Sequence, residues 1–264
     1  MTINSRDKRD VYYFMAKQNN YRARSIFKLK QIDEKYNVFN DTDINVLDLC
    51  AAPGSWSQYL SELKANRKNI NNIIAVDLQD MMPIEGVTIY KDDITNEQFI
   101  KKLSNMQINR VICDGAPDVT GFYELDLYAQ IDLLKASLKI TLHVCNDYNN
   151  VIFISKLFRG KYTKYIIHYF KQYFQEVILT KPRASRSTSN EAFIVCKKLY
   201  NTTGNIDIID FSVNLDNIPC EMCGYGEPDP DYYVEEIIKN DNYKNSKPID
   251  VPYEDAINMR RLNK

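Results

Sequence analysis

Short apolar runs alternate with longer polar or amphipathic segments through the first 200 residues of the chain. Runs of four to eight apolar residues are typical of buried strands, and the longer segments between them are typical of helices. The predicted strands are 44–50, 72–77, 87–90, 110–114, 151–155, 174–180 and 191–198, and the predicted helices are 7–18, 22–37, 56–65, 96–104, 122–145 and 161–173. This alternation predicts an α/β fold with a mostly parallel, seven-stranded sheet that carries helices on both faces.

The last two predicted strands are joined by residues 181–190, a segment rich in Arg and Ser. Two parallel neighbours would need a crossover helix, and this connection is too short for one. We therefore expect an antiparallel pair, which gives the sheet an antiparallel edge strand.

The first strand turns abruptly into a helix through small residues, with the sequence DLCAAPGSWSQ at positions 48–58. Small residues at such a bend let the backbone approach a ligand, and the start of the helix offers N–H groups that lack intrahelical partners. The turn carries only Gly54, so the glycine pattern of a dinucleotide-binding turn is missing. This argues against one alternative, a nicotinamide-dependent oxidoreductase.

Polar side chains lie at or just beyond the carboxyl ends of the predicted strands. They are Asp48, Asp77, Asp93, Asp114 and Lys156. Ligands of open α/β sheets bind at this edge, and an acid about 20 residues beyond the glycine turn suits a ribose diol. One acid at a strand end is usually a helix cap, but five polar groups on one edge predict a binding site.

The net charge of -1 hides a marked asymmetry. Residues 1–30 hold eight Lys and Arg against two acids, and residues 156–186 hold eight against one. Residues 201–264 reverse the sign, with thirteen acids against six bases. Either basic segment alone is most simply a solvated surface, but two of them flanking one ligand-binding fold favour a polyanionic substrate.

The six cysteines are scattered, and four of them lie in or beside apolar segments. This pattern predicts reduced thiols in an intracellular, cytoplasmic protein, and the absence of long apolar stretches predicts no membrane contact. Only Cys220 and Cys223 have the spacing of metal ligands. Because no second pair or nearby His accompanies them, no metal site is expected.

Several motifs, in this order along the chain, resemble the FtsJ-type RNA ribose 2′-O-methyltransferases. They are DLCAAPGSWSQ at 48–58, VDL at 76–78, DIT at 93–95, CDGAPDVTG at 113–121 and KLFRG at 156–160. Within this family, further segments are most similar to the eukaryotic enzymes of the tRNA anticodon loop. These segments are 7–13, 22–25, 181–186, 191–193, 218–224 and 252–256.

The resemblance implies a Rossmann-like fold, S-adenosylmethionine as the methyl donor and a Lys-Asp-Lys-Glu catalytic set. Residue by residue, the set falls on Lys28, Asp114, Lys156 and Glu191. A ribose hydroxyl is a poor acid, so its methylation needs a base and a site that stabilises negative charge on oxygen. Lys156 is the expected base, with a neutral form favoured by burial beside Lys28. Asp114 is expected to orient the lysines, and Glu191 to hold one of them.

The resemblance also assigns the donor contacts. It places Gly54 and Trp56 at the amino-acid and sulfur end, Asp77 at the ribose, Asp93 at the adenine and Asp114 near the sulfonium. Two alternatives remain open at this point. Trp56 could be a core aromatic of the first helix turn, and Asp93 could cap the 96–104 helix.

Six basic residues are predicted to contact RNA phosphates: Arg22, Arg24, Arg159, Lys181, Arg183 and Arg186. The alternative for the 181–190 segment is a flexible hairpin turn. One departure from the family pattern is the sequence DYNN at 147–150, where many relatives have Pro-Gly-Gly. Because Asn tolerates left-handed backbone, we expect the turn to persist.

The sequence predicts a catalytic domain over residues 1–200 and an acidic C-terminal extension over residues 201–264. The resemblance implies auxiliary subunits, one HEAT- or armadillo-like and one a WD-repeat protein, and the extension could be their docking surface. Its alternative is a tail packed on its own domain. The predicted function is tRNA ribose 2′-O-methylation in the anticodon loop, at nucleotides 32 and/or 34. The alternatives are the same reaction on rRNA or an mRNA cap, and a catalytically silent RNA-binding subunit.

Overall fold

The computed structural model describes residues 11–67, 69–117, 122–145, 148–186, 189–202, 209–216 and 218–224. Six α-helices and eight strands are assigned in this part of the chain. The helices are α1 (Val11–Gln18), α2 (Ile26–Tyr36), α3 (Ser55–Arg67), α4 (Glu97–Leu103), α5 (Tyr123–Val144) and α6 (Thr163–Phe170). The strands are β1 (Ile44–Leu49), β2 (Ile70–Asp77), β3 (Thr88–Lys91), β4 (Arg110–Cys113), β5 (Ile152–Phe158), β6 (Phe174–Pro182), β7 (Glu191–Leu199) and β8 (Glu221–Cys223).

The strands form one sheet in the order β3-β2-β1-β4-β5-β7-β6-β8. Strands β1 to β5 pair in parallel, β7 pairs antiparallel with both β5 and β6, and β8 pairs in parallel with β6. The predicted α/β class is therefore confirmed. Two details of the prediction differ from the structure: the position of the antiparallel strand and the number of strands.

The antiparallel strand is not at the edge of the sheet. The hairpin folds back so that β7 enters between β5 and β6, with Lys156 opposite Phe193 and Phe158 opposite Glu191. The residues from Ala192 to Cys196 are all fully buried, as an interior strand with both faces covered requires. The unbroken apolar run at 192–196 is the sequence signal for this interior position.

The eighth strand, β8, has only three residues and therefore no hydrophobic pattern that could predict it. It pairs with residues 180–182 at the end of β6, so the sheet extends past residue 200, the predicted end of the catalytic domain. Residues 209–216 also contact this domain, since Ile209 lies in its core. The predictions for residues 1–10 and 225–264 fall outside the described residues.

Helices cover both faces of the sheet and define two hydrophobic cores. One core joins α1, α2 and α3 to side chains such as Val46 and Ile154, and the other joins α4, α5 and α6 to side chains such as Leu47 and Phe153. Successive strand residues thus serve opposite cores, as the period of a pleated strand demands. Helix α2, which carries Lys28, packs on the face of the sheet that α1 and α3 also cover.

Two smaller expectations can be compared with the structure. The turn before β5 persists as a single 3-10 turn at Tyr148–Asn150, and none of these three residues has a positive φ, so no left-handed Asn is involved. Asp147 lies outside the described residues. Among the helices that the structure describes, none is both long and apolar enough to span a membrane.

Candidate active site

Two features of the turn between β1 and α3 favour glycine at position 54. Gly54 has a φ of +102°, which side chains disfavour. A Cβ atom there would lie 2.8 Å from Nη1 of Arg22, 2.9 Å from Ile84 and 3.0 Å from Met81. We name this closely surrounded turn, at the carboxyl edge of the sheet, the Gly54 cradle. The carbonyl of Gly54 accepts the N–H of Gln58 at 2.9 Å as α3 begins.

Arg22 holds this cradle together instead of projecting into solvent. Its Nη1 donates to the carbonyl of Pro53 and its Nη2 to the carbonyl of Pro83, both at 2.9 Å. Its backbone N–H donates to the side chain of Gln58 at 2.8 Å. Arg22 therefore links the turn to the 81–84 segment, a role that differs from the predicted RNA contact.

Asp77 ends β2 with a carboxylate that faces the same turn. Its Oδ2 accepts the N–H of Ala52 and its Oδ1 accepts the N–H of Gln79, both at 2.8 Å. A carboxylate oxygen has two lone pairs, so each oxygen retains capacity for a further donor such as a ribose hydroxyl. The position and chemistry of Asp77 suit the predicted ribose contact.

Asp93 is exposed just beyond β3 and does not cap the following helix. Its Oδ1 accepts the N–H of Thr95 at 2.8 Å and the hydroxyl of Thr95 at 2.7 Å. The N-cap of α4 is Asn96, whose side chain accepts the N–H of Gln98. The capping alternative is therefore wrong, and the carboxylate stands at the same edge as Asp77.

Trp56 is a core residue. Its side chain is 2% exposed, its Nε1 donates to the carbonyl of Ser25 at 2.9 Å, and its ring lies 5.8 Å from that of Phe193. Direct contact between this ring and a donor is not supported by such burial, which instead favours the alternative of a core aromatic. Trp56 thus connects α3 to Ser25, the residue that precedes α2, and α2 carries Lys28.

The four predicted catalytic side chains meet at one point, although they come from four separate elements. Lys28 lies on α2, Asp114 follows β4, Lys156 lies within β5 and Glu191 opens β7. Nζ of Lys28 is 2.8 Å from Oε1 of Glu191 and 3.8 Å from Oδ1 of Asp114. Nζ of Lys156 is 3.1 Å from the same Oδ1 and donates to the carbonyl of Asp114 at 2.6 Å. The lysines thus share one carboxylate oxygen.

Strand register explains why these groups converge. Lys156 and Phe158 lie two residues apart on β5 and so point to one face, and Glu191 is opposite Phe158 on β7. All four side chains are between 10 and 17% exposed, so they are largely desolvated but remain reachable. Two cations and two anions balance within the cluster.

The charges in the Lys28–Glu191 pair are stabilised by each other. Burial acts to lower the pKa of Lys28, but Asp114 and Glu191 outweigh it and raise that pKa above its usual value. Burial acts to raise the pKa of Glu191, but the charge of Lys28 and its hydrogen bond outweigh burial and lower that pKa below its usual value. Both groups therefore stay ionised at neutral pH. Glu191 holds Lys28, the first of the two possibilities left open by the sequence.

Two further buried polar residues belong to the site: Asp48, which was among the strand-end groups expected there, and Gln130, which was not predicted. Asp48 accepts the hydroxyl of Ser57 at 2.6 Å, and burial raises its pKa to about 8, so it is protonated at neutral pH. Gln130 on α5 donates to the carbonyl of Lys156 at 2.8 Å and fixes the backbone that carries this lysine. A polar residue within an apolar helix face is the signal that could have identified Gln130.

The structure separates the six residues predicted to contact RNA. Arg159 and Lys181 are buried, at 4% and 1% exposed, so their phosphate contacts stay a prediction that this structure does not support. Strand β6 runs on to Pro182 and buries Lys181, whose Nζ donates to the carbonyl of Ser189 at 3.0 Å. Arg24 is half-buried and donates to the carbonyl of Ala184. Only Arg183 and Arg186 have exposed side chains.

Comparison with known proteins agrees with this geometry. The model of the FtsJ-like methyltransferase family matches residues 21–199. The chain belongs to this family. FtsJ-like methyltransferases use S-adenosylmethionine, so the predicted donor is also confirmed, and the Gly54 cradle with Asp77 and Asp93 supplies backbone and carboxylate groups that fit it.

The relatives include proteins of known name. Human tRNA (cytidine(32)/guanosine(34)-2′-O)-methyltransferase is 37% identical over 97% of this chain and 84% of its own length. A Caenorhabditis elegans relative is 46% identical over 73% of this chain and 57% of its own length, so the chain spans little more than half of that protein. A solved Plasmodium falciparum protein, described as a ribosomal RNA methyltransferase, has a TM-score of 0.58 and 26% identity, covering 68% of this chain and 98% of that one.

Proposed function

We propose that this protein is a tRNA ribose 2′-O-methyltransferase that acts in the anticodon loop, at nucleotides 32 and/or 34. The meeting of Lys28, Asp114, Lys156 and Glu191 beside the Gly54 cradle is the observation that carries the proposed reaction. The choice of tRNA draws its support from the human relative, whose named reaction is on tRNA and whose similarity extends along 97% of the chain.

Lys156 is the proposed proton acceptor for the 2′-hydroxyl. Lys28 contacts two carboxylates, whereas Lys156 has one carboxylate partner, Asp114. Loss of a proton from Lys156 therefore removes fewer ion pairs than loss of one from Lys28.

Lys28 is the proposed stabiliser of negative charge that develops on the ribose oxygen. Glu191 keeps it protonated, and its side chain is held in place before substrate arrives, so no reorganisation is needed during the reaction. When bound, S-adenosylmethionine supplies an electrophilic methyl group. Asp114 then has the role of orienting the lysines, so that the hydroxyl is aligned for an in-line displacement.

Substrate class can be tested by methylation assays with separately prepared tRNA, rRNA and capped RNA. We expect incorporation into tRNA, at ribose 32 or 34 when the modified nucleotides are mapped. The solved Plasmodium protein makes rRNA the second candidate. Incorporation into rRNA alone would overturn the assignment to tRNA.

The proposed base can be tested by comparing Lys156→Ala with Lys139→Ala, which removes an exposed lysine from α5. Lys156→Ala should abolish methyl transfer while calorimetry still shows donor binding, and Lys139→Ala should change neither. Undiminished turnover in Lys156→Ala would exclude this lysine as the base. A wild-type chain that binds RNA without transferring methyl groups would instead indicate the silent subunit.

The proposal extends to location and partners. The chain would act in the cytoplasm, where its six cysteines would remain thiols, in keeping with the free cysteines of the described residues. The acidic residues of 201–264 would serve the auxiliary HEAT/armadillo-like and WD-repeat subunits, because their charge repels RNA. Affinity capture of the full chain, compared with a chain that ends at residue 224, would test this role.

A further inference from the structure

The first turns of α5 expose three large side chains. Phe122 is 70% exposed, Leu125 60% and Tyr128 45%. Their spacing of three residues places them on one side of the helix, while Leu127 and Ile131 on the other side are buried. Exposed apolar side chains that occur singly need no explanation, but a contiguous group marks a surface that binds something.

This surface continues onto α6 and the 209–216 segment. The hydroxyls of Tyr128 and Tyr162 are 2.8 Å apart and their rings 5.5 Å apart. The ring of Phe211, itself exposed, lies 4.8 Å from that of Tyr162. We name Phe122, Leu125, Tyr128, Tyr162 and Phe211 the α5–α6 aromatic patch.

The patch lies at the same edge of the sheet as the catalytic cluster. Gln130 on α5 donates to the carbonyl of Lys156 at 2.8 Å, Tyr128 precedes it by two residues, and Phe122 is the N-cap of the helix. Helix α5 follows β4, so its first turns start from the carboxyl edge where Asp114 lies. Tyr162 follows Lys156 by only six residues. The patch and Lys156 therefore share the carboxyl edge of the sheet, where a nucleotide that flanks the target ribose would lie.

The chemistry of the patch favours rings over phosphates as ligands. Lys161 and Lys164 stand at its rim, but Lys161 pairs with Glu124, and Asp210 lies near His168. Positive and negative charges are therefore nearly balanced. What the surface offers is aromatic faces, and every nucleobase has a complementary π-face.

We propose that the α5–α6 aromatic patch binds a nucleobase that flanks the target ribose, with Phe122 and Tyr128 as its stacking platform. This inference rests on the proposed function only in that the substrate is RNA. It gives the site a means of holding a splayed single-stranded loop, whose unstacked bases aromatic side chains recognise well. It also gives RNA a contact that does not depend on Arg22, Arg24 and Lys181, whose side chains donate hydrogen bonds within the protein.

The inference can be tested with Phe122→Ala, Phe122→Leu and Phe122→Trp in the full chain. Leu keeps an apolar side chain but lacks a ring face, so stacking predicts that Leu weakens RNA binding as Ala does and that Trp restores it. We expect the Kd and KM for RNA to rise about 5- to 100-fold in the first two variants, with kcat within about twofold. Tyr128→Phe, which keeps the ring, should bind like wild type.

Tyr200→Leu is the matched control. Tyr200 is 52% exposed but follows the antiparallel β7, so it lies at the opposite edge of the sheet. A spectroscopic readout comes from 2-aminopurine placed on either side of the target nucleotide in an anticodon stem–loop. Its fluorescence should be quenched by wild type and by Tyr200→Leu, but not by Phe122→Leu.

Two outcomes would overturn the inference. One is unchanged RNA affinity and quenching in Phe122→Ala. The other is a Phe122→Leu variant that binds RNA like wild type and loses only stimulation by an added protein subunit, which would make the patch a protein-docking surface. The measurements use whichever RNA the wild type methylates, so failure of the tRNA assignment would be seen separately.

Discussion

Two ion pairs of equal length differ sharply in burial, and this difference makes the strength of the catalytic pair testable. In the first, Nζ of Lys28 lies 2.8 Å from Glu191, with side chains 12% and 11% exposed. In the second, Nζ of Lys35 lies 2.8 Å from Glu221, with side chains 36% and 50% exposed. Glu191→Gln and Glu221→Gln make the same chemical change in these two settings.

The expected losses of folding stability differ because only Glu191→Gln leaves a buried charge, that of Lys28, without its main partner. Removing one partner of a buried pair costs about 3–5 kcal/mol. We expect about 3 kcal/mol for Glu191→Gln, since Asp114 remains 3.8 Å from Lys28 as a second partner. Glu221→Gln should cost under about 1 kcal/mol, as solvent screens an exposed pair. At about 2–4 °C per kcal/mol, Tm should fall by about 6–12 °C in the first variant and by under about 4 °C in the second.

The pH dependence of this loss has a defined sign. The pKa of Glu191 is below its usual value of 4.5 in the folded protein, so its contribution is present above pH 4.5 and disappears as pH falls through the folded pKa. The pKa of Lys28 is above 10.5, so its contribution is complete below that pH and is lost as pH rises through the folded pKa. The difference between wild type and Glu191→Gln should therefore be greatest between these limits and should shrink in acid.

Urea unfolding at neutral pH, followed by circular dichroism, measures these free energies directly. A double-mutant cycle with Lys28→Met isolates the pair, because the double variant no longer contains a stranded charge and should be more stable than Glu191→Gln alone. The reasoning is refuted if Glu191→Gln costs no more than Glu221→Gln, or if the cycle shows additive effects.

Three further changes have defined outcomes. Gly54→Ala should weaken donor binding at least tenfold by calorimetry. Gly86→Ala is the control, because Gly86 also has a positive φ but the atom nearest to its new Cβ is 3.6 Å away, and donor affinity should not change. Equal losses in both variants would mean that backbone strain, not the Gly54 cradle, is responsible. Asp48→Asn should gain stability relative to wild type as pH rises from 5 to 8. The reason is that the Asp48 carboxyl has a pKa of about 8 in the folded protein but 3.8 in the unfolded chain, so wild type loses stability over this range. A constant difference between the two proteins in urea unfolding would contradict this. Gln130→Leu should lower kcat more than it raises the donor Kd, since it frees the backbone of Lys156, and an unchanged kcat would count against that support.

Much of the fold follows from the sequence because hydrophobic periodicity is local. The apolar runs at the centres of β1, β2, β4 and β5 are buried on both faces. Sheet order is not local, and the insertion of β7 beside β5 depends on contacts between residues far apart in the chain. The three residues of β8 pair with β6, and a segment this short has no hydrophobic pattern from which a strand could be predicted.

Motifs could name the residues of the proposed catalytic set, whereas charge could not show which basic side chains are exposed. A motif fixes which side chains meet, and the meeting of Lys28 with Glu191 is the outcome that their motifs implied. Charge alone does not say whether a cation faces solvent. Lys181 is buried because β6 continues two residues further than its apolar run, and Arg22 is used to tie Pro53 to Pro83. The burial of such basic side chains can be recognised only from a structure that shows where each strand ends and how the loops pack.

The interior position of β7 links substrate contact to catalysis. Because β7 begins with Glu191, the segment before it, which carries the exposed Arg183 and Arg186, leads directly into the carboxylate that holds Lys28. Ser189, which lies between Arg186 and Glu191, accepts the backbone N–H of Glu191 at 3.2 Å. RNA that displaces this segment would therefore alter the ion pair of the catalytic cluster without touching it. An edge strand, as the sequence predicted, would have placed Glu191 one strand away from Lys156, and this coupling would not arise.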